Sequence, residues 1–172
     1  MITIRFANTE DAELIADISR KTFHETFGFL NTKENMDKFM NEQFNRELLI
    51  NEVSEPVNTF IVAMDDDKMV GYAKLKRGGS YPEFEGKDAI EISRIYVLNS
   101  HLGAGIGPEL MRKCIFTAKD MKCDVIWLGV WEKNPRALAF YTKNGFEKFS
   151  THEFVLGNDA QTDWLMKKEL DV

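Results

Sequence analysis

The segment EISRIYVLNSHLGAGIGPELMRKC, residues 91–114, constrains the fold more than any other part of the chain. Residues 89–98 are rich in β-branched and aromatic residues and predict a strand. The glycines of LGAGIG follow, and Pro108 suits the first position of a helix over residues 108–121. A strand, a glycine turn and a helix start in succession are typical of an anion site, because the first helical N–H groups lack internal partners. A tight turn that uses glycine only for its conformation remains an alternative.

The glycine loop lacks the signatures of two common nucleotide sites. The pattern GxxxxGK[ST] is absent, so the lysine and hydroxyl that hold nucleotide phosphates and Mg²⁺ are missing. Gly103, Gly105 and Gly107 alternate, but the third glycine of GxGxxG would fall at Pro108. Nucleotide hydrolysis and hydride transfer are therefore disfavoured.

The rest of the chain alternates strands, helices and hairpins, which predicts an α/β (mixed α+β) fold with a mixed sheet flanked by helices. Residues 1–172 are expected to form a single domain, since this length is usual for one domain. The expected elements are a strand at residues 2–6, a helix capped by Asn8 or Thr9, helices starting near Thr32 and Asn45, a hairpin of residues 59–64 and 69–75, a surface loop over 78–88, a strand at 125–130, a short helix from Asn134-Pro135 to Gly145, and a final hairpin turning at Gly157-Asn158.

Composition limits the classes of partner. The chain has 22 basic and 28 acidic residues, a net charge of −6, which disfavours binding to nucleic acid. It has no leader pattern and no run of ~18 apolar residues, so we expect a cytoplasmic protein without a membrane partner. Cys114 and Cys123 form no metal-ligand pattern, and no metal is expected. The histidines His24, His101 and His152 are scattered and are expected to be structural or exposed.

Two motifs together resemble the GNAT superfamily of N-acetyltransferases. Leu102-Gly103-Ala104-Gly105-Ile106-Gly107 is similar to its acetyl-CoA loop, [QR]xxGx[GA], except at Leu102. The second marker is the strand IWLGVW followed by Asn134, the run ALAFY at residues 137–141, and Asn144-Gly145-Phe146. Within the superfamily the chain is most similar to the PaiA-type spermidine/spermine acetyltransferases. The resemblance implies a mostly antiparallel sheet in which two parallel strands splay apart.

The resemblance also implies a binding site for acetyl-CoA, with the pantetheine arm between the splayed strands and the pyrophosphate at the glycine loop. Leu102 replaces a family Gln or Arg, so binding of the phosphates should depend on backbone N–H groups and on the N-terminus of the helix. The residues implied in cofactor binding are Ile95, Tyr96, Val97, Leu98, Leu102, Gly103, Ala104, Gly105, Ile106, Gly107, Pro108, Asn134, Ala137, Phe140 and Lys143.

Tyr141 matches a family tyrosine and is the candidate general acid, because a phenol is protonated at neutral pH and can donate to a departing thiolate. Glu91 lies at the strand position where some members carry a general base, although a solvent-facing glutamate at a strand start is an equal alternative. Glu25, Phe27 and Trp131 are the candidate acceptor-binding residues.

The function implied is direct transfer of an acetyl group from acetyl-CoA to a primary amine. The resemblance to the PaiA-type enzymes favours a polyamine, and the acidic chain would attract such a polycation. Another small amine or a peptide N-terminus is the alternative acceptor. A regulatory module that binds CoA with little turnover is the alternative class, kept open by Leu102. A homodimer is compatible with the sequence, which does not determine the oligomeric state.

Overall fold

The computed structural model describes residues 1–171, and its strands form one seven-stranded sheet. The strand order is β1-β2-β3-β4-β5-β7-β6, and every neighbouring pair is antiparallel except β4 and β5. The expected mixed and mostly antiparallel sheet is confirmed. The strands are β1 (Ile2–Phe6), β2 (Asn58–Asp65), β3 (Lys68–Arg77), β4 (Ala89–Val97), β5 (Val125–Trp131), β6 (Glu147–Leu156) and β7 (Asp159–Glu169).

Five α-helices flank the sheet in the described part of the chain: α1 (Ala12–Phe27), α2 (Lys33–Glu42), α3 (Arg46–Glu52), α4 (Ile106–Asp120) and α5 (Pro135–Lys143). Side chains of Thr32, Asn45 and Asn134 cap the N-termini of α2, α3 and α5 as expected. Asn8 caps a short 3₁₀ turn with Asp11 in a capping box, and α1 follows directly.

Helix α4 begins two residues earlier than the predicted start at Pro108. Gly105, with φ of 81°, is its N-cap, so Ile106 is the first helical residue and Pro108 the third. Proline fits there equally well, because the first N–H groups of a helix have no intrahelical acceptor. The helix N-terminus therefore lies within the glycine loop itself.

Helices α1 and α4 lie on opposite faces of the sheet. Gly71 of β3 faces α4, since a Cβ built there would lie 3.4 Å from side-chain atoms of Ile106 and Leu110. The next residue, Tyr72, points the other way and stacks on Tyr96, which in turn contacts Phe27 of α1. The face of the sheet covered by α1 is called the α1 face below.

Strands β4 and β5 separate after only three paired positions, Ala89–Glu91 with Val125–Trp127. A β-bulge lies just beyond, because Lys74 and Leu75 of β3 pair with Arg94 and Ile92 and leave Ser93 without a partner. A bulge bends its strand and reverses the alternation of side chains beyond it. The bulge therefore turns Arg94 and Tyr96 toward the α1 face and accompanies the divergence of β4 from β5.

Candidate functional site

A large cavity of about 880 Å³ opens where β4 and β5 diverge. It extends from the glycine loop, through the gap between the strands, to a recess under the C-terminal end of α1. Beyond Glu91, the edge of β4 that faces β5 has no strand beside it. An extended ligand in the gap can therefore bond to backbone groups as an added strand would.

The glycine loop forms the first end of the cavity. Gly103 and Gly105 have φ of 83° and 81°, and a Cβ on either would meet no atom within 4 Å, so the space above the loop is open. The loop leads into the N-terminus of α4, where free N–H groups and the helix dipole favour an anion. Arg136 in the first turn of α5 also lines the cavity. These features fit the pyrophosphate of CoA.

Most predicted cofactor residues line this cavity: Ile95, Tyr96, Val97, Leu102, Gly103, Gly105, Gly107, Pro108, Asn134, Ala137 and Phe140. Leu98 and Ile106 do not, because their side chains are buried in the core at 3% and 2% exposure. Ala104 and Lys143 are exposed outside the cavity, since Ala104 lies on the outer side of the loop and Lys143 at the far end of α5. Arg136, in the first turn of the same helix, lines the cavity.

Tyr141 lines the cavity beside Phe140. Burial raises the pKa of its hydroxyl above the usual range, with a smaller contribution from the nearby Cys114. The phenol therefore stays protonated at any physiological pH. Burial likewise raises the pKa of Tyr96, and Tyr72, Tyr141 and Asp163 add to that shift.

An aromatic wall forms the recess at the other end of the cavity. Phe23 of α1 is at its centre, with ring centroids 4.6 Å from Phe27, 4.6 Å from Phe39 and 5.0 Å from Phe44. Phe154 of β6 extends this wall, its ring centroid 5.8 Å from that of Phe39. Of the residues in this wall, only Phe27 was predicted from the sequence. The rings come from separate elements of the chain, so no local pattern links them.

Phe27 and Trp131, both predicted to bind the acceptor, do meet in the cavity, with ring centroids 6.1 Å apart. Phe27 also contacts Tyr96 edge-on at 6.5 Å, so it spans the gap between β4 and β5 on the α1 face. Glu25 lines the cavity as well, and its Oε2 accepts a hydrogen bond of 3.0 Å from the backbone N–H of Asn99. The carboxylate of Glu25 thereby ties α1 to the segment before the glycine loop.

Arg94 lies in the recess with its guanidinium 4.7 Å from the centroid of the Phe44 ring. It donates two hydrogen bonds, of 2.7 and 3.0 Å, to the carboxylate of Glu52. Lys74 approaches the same carboxylate at 3.3 Å. Burial alone would raise the pKa of Glu52, but Arg94 and Lys74 outweigh it and hold that pKa below its usual value. Glu52 thus keeps its charge and neutralises Arg94.

Glu91, the predicted base, is not in the large cavity. It lines a second cavity of about 330 Å³ with Tyr81 and Trp127, at the last rung before the strands separate. Burial raises the pKa of its carboxyl. Glu91 thus lies beside the point where the strands diverge but outside the large cavity, because the bulge at Ser93 gives the positions nearer the gap to Arg94 and Tyr96. Its role as the base stays a prediction. Glu83 and Glu85, in the loop before β4, do not line the large cavity either.

Asp163 is a cavity residue that the sequence analysis missed. It lies on β7 opposite Trp131, and burial raises the pKa of its carboxyl. The signal available in the sequence was a single acidic residue between Thr162 and Trp164 in a strand, which is too common to indicate a site.

Within residues 1–171, no group of three or more His, Cys, Asp or Glu side chains is arranged to hold a metal ion. No helix in that same range has the length and apolar character needed to cross a bilayer.

Comparison with known proteins agrees with this architecture. The chain is 40% identical to an uncharacterized N-acetyltransferase of Lactobacillus delbrueckii subsp. lactis, over 92% of this chain and 91% of that one. It is 23% identical to a spermidine N(1)-acetyltransferase of Thermoplasma acidophilum, over 99% and 98% of the two chains. The crystal structure of the PaiA N-acetyltransferase of T. acidophilum in complex with coenzyme A superposes with a TM-score of 0.78 at 23% identity, covering 99% of each chain.

A family model provides the assignment itself. The model described as the acetyltransferase (GNAT) family matches residues 15–146, a range that includes the diverging strands, the glycine loop and α5. On this match, and on the sheet that opens between β4 and β5, the chain belongs to the GNAT family of acetyltransferases.

Proposed function

We propose that the protein transfers an acetyl group from acetyl-CoA to a primary amine, and that this amine belongs to a polyamine such as spermidine or spermine. The observation that carries the proposal is the continuity of the cavity. One space connects the glycine loop at the N-terminus of α4 with the aromatic recess under α1, through the gap between β4 and β5. A donor held at one end and an acceptor held at the other would meet in the gap.

Several residues would hold acetyl-CoA, which supplies the activated acetyl thioester. The backbone N–H groups of Gly103, Gly105, Ile106 and Gly107 and the side chain of Arg136 would contact the pyrophosphate. The edge of β4 from Ile95 to Val97 would pair with the pantetheine arm. Asn134 accepts a hydrogen bond from the N–H of Ala137 at 3.2 Å through its side-chain oxygen, which leaves its amide NH₂ free to donate.

Tyr141 would act as the general acid. Its hydroxyl is protonated because burial raises its pKa, and it lines the cavity next to the gap. When the amine attacks the thioester carbon, the carbon–sulfur bond breaks and the sulfur requires a proton. Tyr141 would donate that proton from its hydroxyl oxygen, and Phe140 and Phe146 pack against its ring and orient it.

The recess suits a long, flexible cation. Aromatic faces pack against methylene groups and attract ammonium groups by cation–π interaction. The carboxylates of Glu25 and Asp163 line the same cavity, and the charge of Arg94 is matched by Glu52. A polyamine has several ammonium groups for these partners, of which only the reacting nitrogen must be neutral. The similarity to a spermidine N(1)-acetyltransferase supports the same acceptor.

The test is acetyl-CoA consumption with a panel of spermidine, spermine, monoamines, amino acids, aminoglycosides and a peptide with a free N-terminus. We expect the highest kcat/KM with spermidine or spermine. A higher value with the peptide or a monoamine would replace the polyamine and leave the transferase activity in place. Binding of CoA without turnover of any amine would instead establish a regulatory module.

A further inference from the structure

Asp163 and His152 form a pair beside the gap between the strands. They are direct cross-strand partners on β7 and β6. Both side chains lie over Gly129 of β5, since a Cβ built on Gly129 would be 3.6 Å from Oδ2 of Asp163 and 3.4 Å from Cε1 of His152. The missing side chain at Gly129 leaves the space in which the carboxylate and the imidazole lie side by side.

The pair connects the cavity with the solvent. Asp163 lines the large cavity and is half-buried, whereas His152 is exposed on the edge strand β6. A proton that reaches Asp163 from inside the cavity can therefore leave through His152 without crossing the core.

The groups that face Asp163 come from several strands. Burial raises the pKa of Tyr96 of β4, and Asp163 adds to that shift. Burial also raises the pKa of Asp163, and His152 of β6 lowers it by a smaller amount. From β5 the neighbours are Gly129 and Trp131, which have no charge. Glu91 of β4 lies farther along the α1 face. Burial raises the pKa of its carboxyl, and His152 is among the groups that lower it.

The other carboxylate that lines the large cavity, that of Glu25, has a structural role. Among residues 1–171, Glu25 and Asp163 are the acidic residues that line the large cavity. Glu25 accepts a hydrogen bond from the backbone of Asn99 and so helps to hold α1 against the segment before the glycine loop. Glu91 belongs to the second cavity. Asp163 is the carboxylate best placed to meet an amine in the gap.

We propose that Asp163 is the general base of the transfer and that His152 relays the proton to solvent. The inference rests on the proposed function, because it requires an amine acceptor. The acceptor enters as an ammonium ion, R–NH₃⁺, and a carboxylate oxygen of Asp163 removes one proton to give R–NH₂. The nitrogen lone pair then attacks the acetyl carbon. The carboxylate of Asp163 and the ring nitrogens of His152 are neighbours without a direct hydrogen bond, so a water molecule carries the proton from Asp163 to His152. His152 then releases the proton to solvent, and the carboxylate of Asp163 is restored.

The experiment compares Asp163→Asn with Asp163→Glu in steady-state kinetics from pH 6 to pH 10, with the amine that the panel identifies as the best acceptor. At pH 7 we expect Asp163→Asn to lower kcat by roughly 10²-fold while KM for acetyl-CoA is unchanged. The deficit should shrink as the pH approaches ~10, the usual pKa of an alkylamine, because the amine then loses its proton without help. Asp163→Glu should restore part of the activity. Glu153→Gln, on the exposed side of β6, is the matched control and should behave as wild type.

Two outcomes would overturn the proposal for Asp163. A loss that is equal at every pH and appears as a raised KM for the amine would make Asp163 an anchor for the acceptor. Wild-type kinetics in a folded Asp163→Asn variant, checked by its thermal melt, would remove Asp163 from the chemistry. Inactivity of the wild type with every amine would be the separate failure of the proposed function.

His152→Ala tests the relay. We expect a lower kcat in weakly buffered solution at pH 7 and recovery on addition of imidazole, which can take the proton from Asp163. A wild-type rate in weak buffer, or a loss that imidazole does not restore, would overturn the role of His152.

Discussion

At the scale of single residues, burial shifts the pKa of two groups that line the large cavity, Tyr141 and Asp163. Tyr141 keeps its proton because burial raises its pKa far above neutrality. Burial also raises the pKa of Asp163, which brings a carboxyl closer to the pH at which it can accept a proton and give it up again. Both shifts have the same physical cause. They give opposite results at neutral pH because a phenol starts near pKa ~10 and a carboxyl near ~4.

The first residue-scale prediction concerns Tyr141→Phe. The substitution keeps the ring, so the contacts with Phe140 and Phe146 remain and the affinity for CoA should be unchanged. It removes the proton that the sulfur needs, so kcat should fall by roughly 10²-fold. Stopped-flow or quench measurements of the chemical step, together with calorimetric titration of CoA, check the two halves. An unchanged chemical step would leave Tyr141 as a packing residue.

At the scale of elements, the decisive unit is the junction of β4, the glycine loop and α4. The loop is short because Gly105 serves as the N-cap with a positive φ, and the helix starts at Ile106, which is buried in the core. Burial of Leu98 and Ile106 on the two sides of the loop fixes both of its ends. Between them, the N–H groups of Asn99, His101, Leu102 and Ala104 are hydrogen-bonded within the protein, whereas those of Gly103 and Gly105 are available to a ligand.

A negative charge placed in this loop should weaken CoA binding. Gly105→Glu puts a carboxylate where the pyrophosphate is expected and also strains a residue with φ of 81°. Gly86→Glu is the matched control, because Gly86 has φ of 75°, has no atom within 4 Å of its Cβ position, and lies outside the large cavity. Both variants should lose a similar amount of stability, about 1–2 kcal/mol.

Only Gly105→Glu should weaken CoA binding, by 10-fold or more since a repulsion of about 1.4 kcal/mol already gives this factor. Isothermal titration with CoA checks the affinity and thermal melts check the stability. Equal affinity for CoA in the two variants would show that the pyrophosphate does not lie at this loop.

At the scale of the whole molecule, the net charge of −6 concentrates cations around the protein. If carboxylates in and around the cavity hold a polyamine, raising the salt concentration should raise KM for spermidine much more than KM for acetyl-CoA. The reason is that ions screen exposed charges separated by more than ~10 Å at 0.1 M salt. A monoamine of the same length is the control, and it should be a poorer acceptor with a weaker salt dependence. Equal and salt-insensitive kcat/KM for the two amines would contradict the polyamine assignment.

Much of the fold could be predicted from the sequence, because its local signals agreed with one another. Asn45 and Thr32 cap helices where the sequence indicated, and Gly157 turns the last hairpin. The predicted start of α4, at Pro108, was wrong by two residues. Proline is acceptable at several positions of a first helical turn, so Pro108 could not fix that boundary.

The sequence by itself determined the glycine loop, the helix that follows it and the tyrosine of α5, because each depends on neighbouring residues. Only the tertiary structure decided which carboxylate reaches the gap. The bulge at Ser93 reverses the alternation along β4, so Glu91 is left at the level of Trp127. Asp163 arrives from a strand that is distant in the chain but adjacent to β5 in the sheet. Strand order and bulges depend on long-range pairing, which a local pattern does not specify.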